Sequence, residues 1–531
     1  MEIKTAARKR WDVVVIGTGM GGATIGWALA QAGKSVLFLE RGQNLLAHEN
    51  FAGEYAEMIT RRQSIPLAEI LPKAGRWNQP LDDYSTHRKK TFTPFIGMGS
   101  GGSSSLYGGA LERFFPEDFE PGKHHPHDGN TTLPPAWPVT YEEMRPWYRA
   151  AEKLFQVYGA TDPLRASVLD PLAPSPPYDP VNRGIAEHLQ TKGLHPYRVP
   201  GACAEQEKCR DCQGYLCATG GKRDSATVCL APALTHHGAA LVDNCEVIRA
   251  EAGQQAIHSV VCRSPSGETR IQGEVFIFAA GALQTPLLLL RSANRHWPRG
   301  LANGSGMVGR NLMRHAIDLY LVKLPQPLDY YRKQIAFNDF YLTGNGKLGS
   351  VQSFGMLPPL PMIMDSLRQD FANAAPWLAP LFPALRPVLA RAVHAMISGK
   401  AAFAGILEDL PYLENRVETD SEGKGKLYYR LSDYDKKRLK TFRREIQTAL
   451  APWPVKRLDQ AGNNERIAHV CGTCRFGNDP DTSVLNRWNQ AHELDNLYIA
   501  DASFFPSSGG INPALTIAAN ALRIADHLTH Q

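Results

Sequence analysis

The chain has 531 residues, 43% of them hydrophobic, enough to bury a large core and to form two structural units. Its formal net charge is +6, spread along the whole length with no segment that interleaves basic and aromatic residues, so nucleic-acid binding has no support. No stretch reaches about 18 consecutive apolar residues, so no transmembrane helix is expected; the basic start (Lys4, Arg8, Lys9, Arg10) lacks the apolar run of a signal peptide, and an odd count of nine cysteines points to reduced thiols in the cytoplasm.

In chain order, Val13 to Ile16 is an unbroken β-branched run, as expected for a parallel strand buried on both faces. Gly17, Gly19 and Gly22 follow as G-x-G-x-x-G, where the strand must turn into a helix over 21–33. Gly17 allows the tight turn, Gly19 lets backbone approach a pyrophosphate, and Gly22 lets the helix lie close on the strand. The helix start aims free N–H groups and its positive end at that pyrophosphate. A second apolar strand, Val36 to Leu39, ends in Glu40, 23 residues after Gly17, where a carboxylate can accept from ribose hydroxyls. Strand, helix, second strand and acid in one register make this a dinucleotide site. The carboxylate makes NADP the weakest candidate.

A polar excursion from Asn44 to about Lys90 leads into the Gly/Ser-rich stretch 97–113. So much Gly and Ser between apolar flanks reads as backbone lying flat against a ligand, with Gly99, Gly102, Ser103, Gly108 and Gly109 facing it. A flexible linker is the plainer alternative. A helix is predicted over 141–158, with Met144, Trp147, Tyr148, Ala151 and Leu154 at helical spacing. Cys203, Cys209, Cys212 and Cys217 then crowd into 15 residues. Four thiols could hold zinc or an iron–sulfur cluster, but two separated C-x2-C knuckles are absent, and buried thiols or a local disulfide are favoured over a metal.

Two further strands are expected, over 240–248, carrying Val247, and over 275–278, ending in Ala280 and Gly281. Thr285 and Pro286 would start a helix whose N-terminus faces the dinucleotide crevice. From about 316 to 466 the residues alternate in a strand-like way (317–322, 348–354, 427–431), suiting a sheet that walls a substrate cavity. The apolar, proline-punctuated stretch 356–396 interrupts it: a core helical hairpin, a lid over an apolar substrate channel, or a surface touching a membrane or partner.

The tail carries the chemistry. His469 lies just before the Gly472 turn, Leu497 to Ala500 reads as a buried strand ending in Asp501, and a helix is expected over 513–528 with Asn512 at its N-cap and Pro513 first. An acid at Asp501 suits a sugar or ribityl hydroxyl, and a helix N-terminus suits a reduced flavin.

Together the first βαβ, 97–113, 281–290 and 469–517 resemble the glucose–methanol–choline (GMC) oxidoreductases, a family of FAD-dependent alcohol dehydrogenases and oxidases. The resemblance implies an α/β fold with a Rossmann-like FAD-binding domain (1–125, 201–318 and 465–531) interleaved with a substrate domain built on a large, mostly antiparallel sheet (126–200 and 319–464). It puts the cofactor against Gly17, Gly19, Gly22, Glu40, the Gly/Ser loop, Val247, Ala280, Asp501, Ala502, Asn512 and Pro513. It makes His469 the base beside flavin N5 and Asn512 its partner, which orients the hydroxyl. The reaction implied is oxidation of a primary or secondary alcohol to a carbonyl, with oxygen, a quinone or a cytochrome as electron acceptor; the apolar stretch 356–396 favours a small hydrophobic or terpenoid-like alcohol over a free sugar. Leu106-Tyr107 stands where some relatives attach flavin through a histidine, so FAD is expected to be non-covalent; others of the family often have Asn at the position of Tyr107. The Cys209 to Cys217 stretch resembles a dehydrogenase branch in which some members hold an iron–sulfur cluster. Rival readings are a non-redox flavoprotein lyase and a nicotinamide-dependent dehydrogenase.

Overall fold

A computed structural model of the chain describes residues 1–46, 51–125, 130–204, 209, 211–325, 328, 331–344, 346–374 and 376–530. Its centre is a seven-stranded sheet whose path runs Ala240–Val242, Val36–Leu39, Arg10–Ile16, Gly267–Phe278, Ile257–Ser264 and Glu246–Ala252. Leu497–Ile499 adds a parallel neighbour to the far end of Gly267–Phe278. The strands around Arg10–Ile16 are parallel, with Val15 opposite Phe38 on one side and Ile277 on the other. Val14, Val15, Leu37 and Phe38 have no exposed surface, which explains the continuous apolar runs. Each such side chain contributes roughly 1.5–3 kcal/mol by leaving water.

The glycine helix, Met20–Gln31, packs between this sheet and the last helix, Ala514–Thr529. Close approach is possible because Gly26 lies under Phe38, where a Cβ would sit 2.3 Å from the ring. The helix Tyr141–Phe155 starts at a capping box, with Thr140 Oγ1 accepting from Glu143 N and Glu143 accepting from Thr140 N. It lies on Ala514–Thr529, and Met144, Tyr148 and Phe155 belong to the same core as the first sheet. The sequence division at 126 assigns this helix to the substrate part; its apolar face packs on the other.

The second sheet has six strands, all antiparallel: Val455–Leu458, Ala316–Val322, Ala401–Leu407, Gly349–Ser353, Ile335–Phe337 and Tyr197–Arg198. Helix Asp433–Leu450 covers it through Phe442 and Ile446, seated over Gly405. Tyr197–Arg198 of the second sheet falls between Val36–Leu39 and Ala240–Val242 of the first, and Leu497–Ile499 of the first follows the rest of the second, so the architecture is interleaved. The predicted strands at 317–322 and 348–354 fall in this sheet. The one at 427–431 does not: Gly425–Tyr428 pairs in parallel with Leu81–Asp83, within a separate four-stranded sheet that the polar excursion completes. Its partner is far away in sequence, so alternation alone misplaced it. The stretch 356–396 is a helical hairpin, Leu360–Ala374 and Phe382–Ile397. Among the described residues no helix is long and apolar enough to cross a membrane.

Candidate active site

At the end of Arg10–Ile16 the chain turns on Gly17, whose φ of +99° favours glycine and whose absent Cβ would lie 2.5 Å from the Ala279 carbonyl oxygen. Gly22 is closed in the same way, 2.2 Å from the Gly17 oxygen. Gly19 differs: a Cβ there would meet no described atom within 4 Å. Open space therefore lies at the middle glycine, against the start of Met20–Gln31, whose N-cap makes no side-chain bond. Gly102 of the Gly/Ser loop faces it, a Cβ there standing 3.1 Å from Gly19 Cα. This is the cradle a pyrophosphate needs.

Glu40 is buried and joins three loops. One oxygen accepts from Thr18 N (3.0 Å) and Thr18 Oγ1 (2.8 Å), the other from Gly42 N (2.9 Å) and Gly99 N (3.1 Å). A carboxylate accepts about four hydrogen bonds, so a ribose hydroxyl expected here would exchange with one of these donors. Val247 belongs to the same side, since Asn244 N and Cys245 N donate to the Gly42 and Glu40 carbonyls just before it. In the Gly/Ser loop the hydroxyls turn inward: Ser104 donates to Gly101 O, Ser105 donates to Ser100 O, and Ser103 Oγ accepts from Gly97 N. Tyr107 points away, its hydroxyl donating to Arg223 O at 2.6 Å.

A second cluster forms where Gly267–Phe278 and Leu497–Ile499 end side by side. Asp501 accepts from Gly281 N (2.8 Å), Thr285 Oγ1 (2.5 Å) and Ser503 N (2.8 Å), and burial raises its pKa against the pull of these bonds. Ala280 N donates to Thr285 Oγ1, and Gly281, like Gly19, is open where a Cβ would be. Ala502 O accepts from Gly472 N, which brings the tail turn alongside.

His469 sits next to that turn, half-buried, with φ +49°. Its Nδ1 is 3.0 Å from Nδ1 of His315, and the rings meet edge to face. His315 is buried and its Nε2 lies 3.0 Å from the Ser508 carbonyl. A carbonyl only accepts, so His315 Nε2 carries a proton and donates. In the neutral ring Nδ1 then accepts, which makes His469 donate from Nδ1 and leaves its Nε2 lone pair free. Burial, then the fields of His315 and Lys333, push the His469 pKa well down, so it stays neutral. Asp409 fixes both flanks, accepting from Arg314 N, His315 N and Ser508 Oγ. His315 was not singled out from the sequence, which carries no motif for it.

Asn512 lies four residues beyond Ser508. It is not the helix cap: the last helix begins at Ala514 with no side-chain cap, and the Asn512 amide is paired with Gln352 instead, donating at 3.1 Å and accepting at 3.3 Å. Pro513 directly precedes the helix and accepts from Ile517 N. Lys333 completes the wall, its Nζ 3.2 Å from where a Gly108 Cβ would be, with burial bringing its pKa down to about 8. Gly109 faces Cys203.

Cys203, Cys209, Cys212 and Cys217 are free thiols. Their loop clamps the Gly/Ser stretch: Lys222 Nζ donates to Ser105 O and Tyr215 O, and Gly214 N donates to Leu106 O. Among the described residues no group of three or more His, Cys, Asp or Glu could hold a metal ion, and 205–208 and 210 lie outside those residues.

Glycine cradle, acid-tied loops and a second strand-end cluster define a dinucleotide-binding α/β protein. More specifically, the chain belongs to the GMC oxidoreductase family. Two models with that description match residues 136–317 and 411–521, more than half of the chain between them, and a model of the NAD(P)-binding Rossmann-like domain matches 15–50. The chain is 29% identical to 6'''-hydroxyparomomycin C oxidase of Streptomyces lividus, over 98% of this chain and 92% of that one. It is 26% identical to 2-methyl-1,2-propanediol dehydrogenase of Mycolicibacterium austroafricanum, over 99% and 96%. In fold it is similar to pyridoxine 4-oxidase from Mesorbium loti, with a TM-score of 0.64 at 17% identity, covering 98% of this chain and 100% of that one. The protein is an oxidoreductase.

Proposed function

We propose that the protein binds FAD without a covalent link and oxidises a small alcohol to an aldehyde or ketone, with His469 as general base. What supports this reading is the His315–His469 contact, which leaves His469 Nε2 as an unprotonated nitrogen near the Gly472 turn that donates to Ala502 O. When bound, FAD supplies the acceptor for the two electrons that leave the alcohol carbon as hydride. Gly19 and Gly281 would give it room, the Met20–Gln31 N-terminus would hold its phosphates, and the Glu40 and Asp501 clusters would accept from its sugar hydroxyls. His469 takes the hydroxyl proton as the C–H bond breaks, a contribution of about 10²–10⁴-fold. Asn512 spends one amide hydrogen on Gln352 and keeps the other for the substrate oxygen.

Relatives named as oxidase and as dehydrogenase both support an alcohol substrate. The acceptor, oxygen or a carrier such as a quinone or cytochrome, is separated by mixing reduced enzyme with air-saturated buffer. The test of the reaction itself is anaerobic: an alcohol panel should bleach the yellow protein, and His469→Ala should keep its FAD while slowing bleaching at least about a hundredfold. Yellow protein that no alcohol bleaches points to a non-redox lyase; colourless protein overturns FAD. Acid precipitation should release the flavin into the supernatant.

A further inference from the structure

The hairpin 360–397 carries its own small core, in which Met364, Phe382 and Val393 are buried. Its first helix is tied to the body: Arg61 donates to Asp365 at 2.9 Å, and Arg466 donates to Ser366 and lies 3.9 Å from Asp370. The outer side is apolar and open. Trp377 is 78% exposed, Leu381 53%, Leu385 43% and Val388 65%. Positions 381, 385 and 388 fall four and three apart, hence on one face of the helix. A monomer gains nothing from showing such a row to water. Along the second helix the formal charges are of one sign: between Asp370 and Glu408 there is no acidic residue, and the charges are Arg386, Arg391 and Lys400, of which Arg386 also lies 4.0 Å from Asp365 of the first helix.

That pairing of apolar face and cationic flank identifies the occupant. A second copy docking face to face would bring Arg386 and Arg391 against their own counterparts. An anionic lipid surface meets both features, since acyl chains receive the apolar row and headgroups the arginines. Sixteen residues in Phe382–Ile397 span about 24 Å at 1.5 Å each, short of the roughly 30 Å hydrocarbon core, and Pro383 and Pro387 punctuate them. The helix can lie in the interface and cannot cross it. We propose that the outer face of this hairpin docks the protein on an anionic phospholipid bilayer, with Trp377 at the headgroup level. The inference stands apart from the reaction proposed above.

The test is co-sedimentation of the full-length protein with phosphatidylcholine vesicles, with and without phosphatidylglycerol. Binding should require phosphatidylglycerol and weaken with salt. The partition coefficient should fall at least about tenfold in Arg386→Glu/Arg391→Glu, and likewise in Trp377→Ser/Leu381→Ser/Val388→Ser. Both variants replace exposed side chains, and melting curves check that they fold. Wild-type protein that stays in the supernatant overturns the proposal, as does equal binding by the charge variant. So does a wild-type dimer, seen by light scattering, that the triple serine variant converts to monomer, for the face would then be a self-interface.

Discussion

Gln352 and Asn512 exchange hydrogen bonds through their side-chain amides, 160 residues apart in the chain. Gln352 lies on Gly349–Ser353 of the six-stranded sheet, so the substrate wall itself orients the amide that is proposed to meet the alcohol oxygen. Asn512→Ala should lower kcat about 10²–10³-fold with FAD retained, the scale for losing one donor to a developing oxyanion. Gln352→Leu should cost less, about tenfold, because Asn512 remains but turns freely. Equal losses in rapid-mixing reduction rates would mean that Gln352 does more than orient.

His315→Gly tests the tautomer argument. Glycine tolerates the φ of +59° found at His315 and brings no side-chain acceptor. Without an acceptor for its Nδ1 proton, His469 loses its fixed ring orientation, and kcat/KM should fall about ten- to a hundredfold. Unchanged kinetics would remove His315 from the site.

The pH dependence has a definite sign. Burial, His315 and Lys333 all hold the His469 pKa down, so the acid limb of kcat/KM should lie below about 6.5, the ordinary histidine value. Lys333→Met should move that limb upward, since one of the opposing fields is gone. The unfolded chain takes this proton more readily than the folded one, so stability from this group is present above about pH 6.5 and lost as pH falls. Melting of His469→Ala should accordingly depend less on acidification.

Glu112 behaves in the opposite sense. Burial lifts its pKa to about 8 although Tyr197 donates to it, so at neutral pH the folded state holds a proton that the unfolded chain releases. Its stabilisation is complete below about pH 4.3 and declines as pH rises through 8. Glu112→Gln keeps an acceptor for the Tyr197 hydroxyl and removes the slope, so its melting temperature relative to wild type should rise between pH 5 and pH 8. Parallel curves would show that Glu112 is already ionised.

The glycines separate folding from cofactor binding. Gly19→Ala meets open space, so the protein should melt normally yet purify with little FAD. Gly22→Ala forces a Cβ to 2.2 Å from the Gly17 carbonyl oxygen and should destabilise by about 1–3 kcal/mol. Full flavin content in Gly19→Ala would move the pyrophosphate elsewhere.

These contrasts also show what a sequence can disclose. The first βαβ was legible because its determinants are neighbours: an apolar run, three glycines and an acid within one short unit, and Val36–Leu39 has the predicted bounds. Long-range choices were not. The cap expected of Asn512 is a local preference that a distant glutamine overrode. His315 has no motif of its own, and only folding brings it to His469 across 154 residues. The strand at 425–428 alternates as expected, but its parallel partner at 81–83 lies inside what reads as a polar excursion.

The four donors gathered by Glu40 bear on how a coenzyme is acquired. Because Thr18, Gly42 and Gly99 are already drawn together, little chain freedom has to be surrendered when a nucleotide arrives, and a sugar hydroxyl enters by trading places with an amide that stays nearby. Apoprotein stripped of its prosthetic group should therefore keep its receiving pocket and take up added FAD again without refolding.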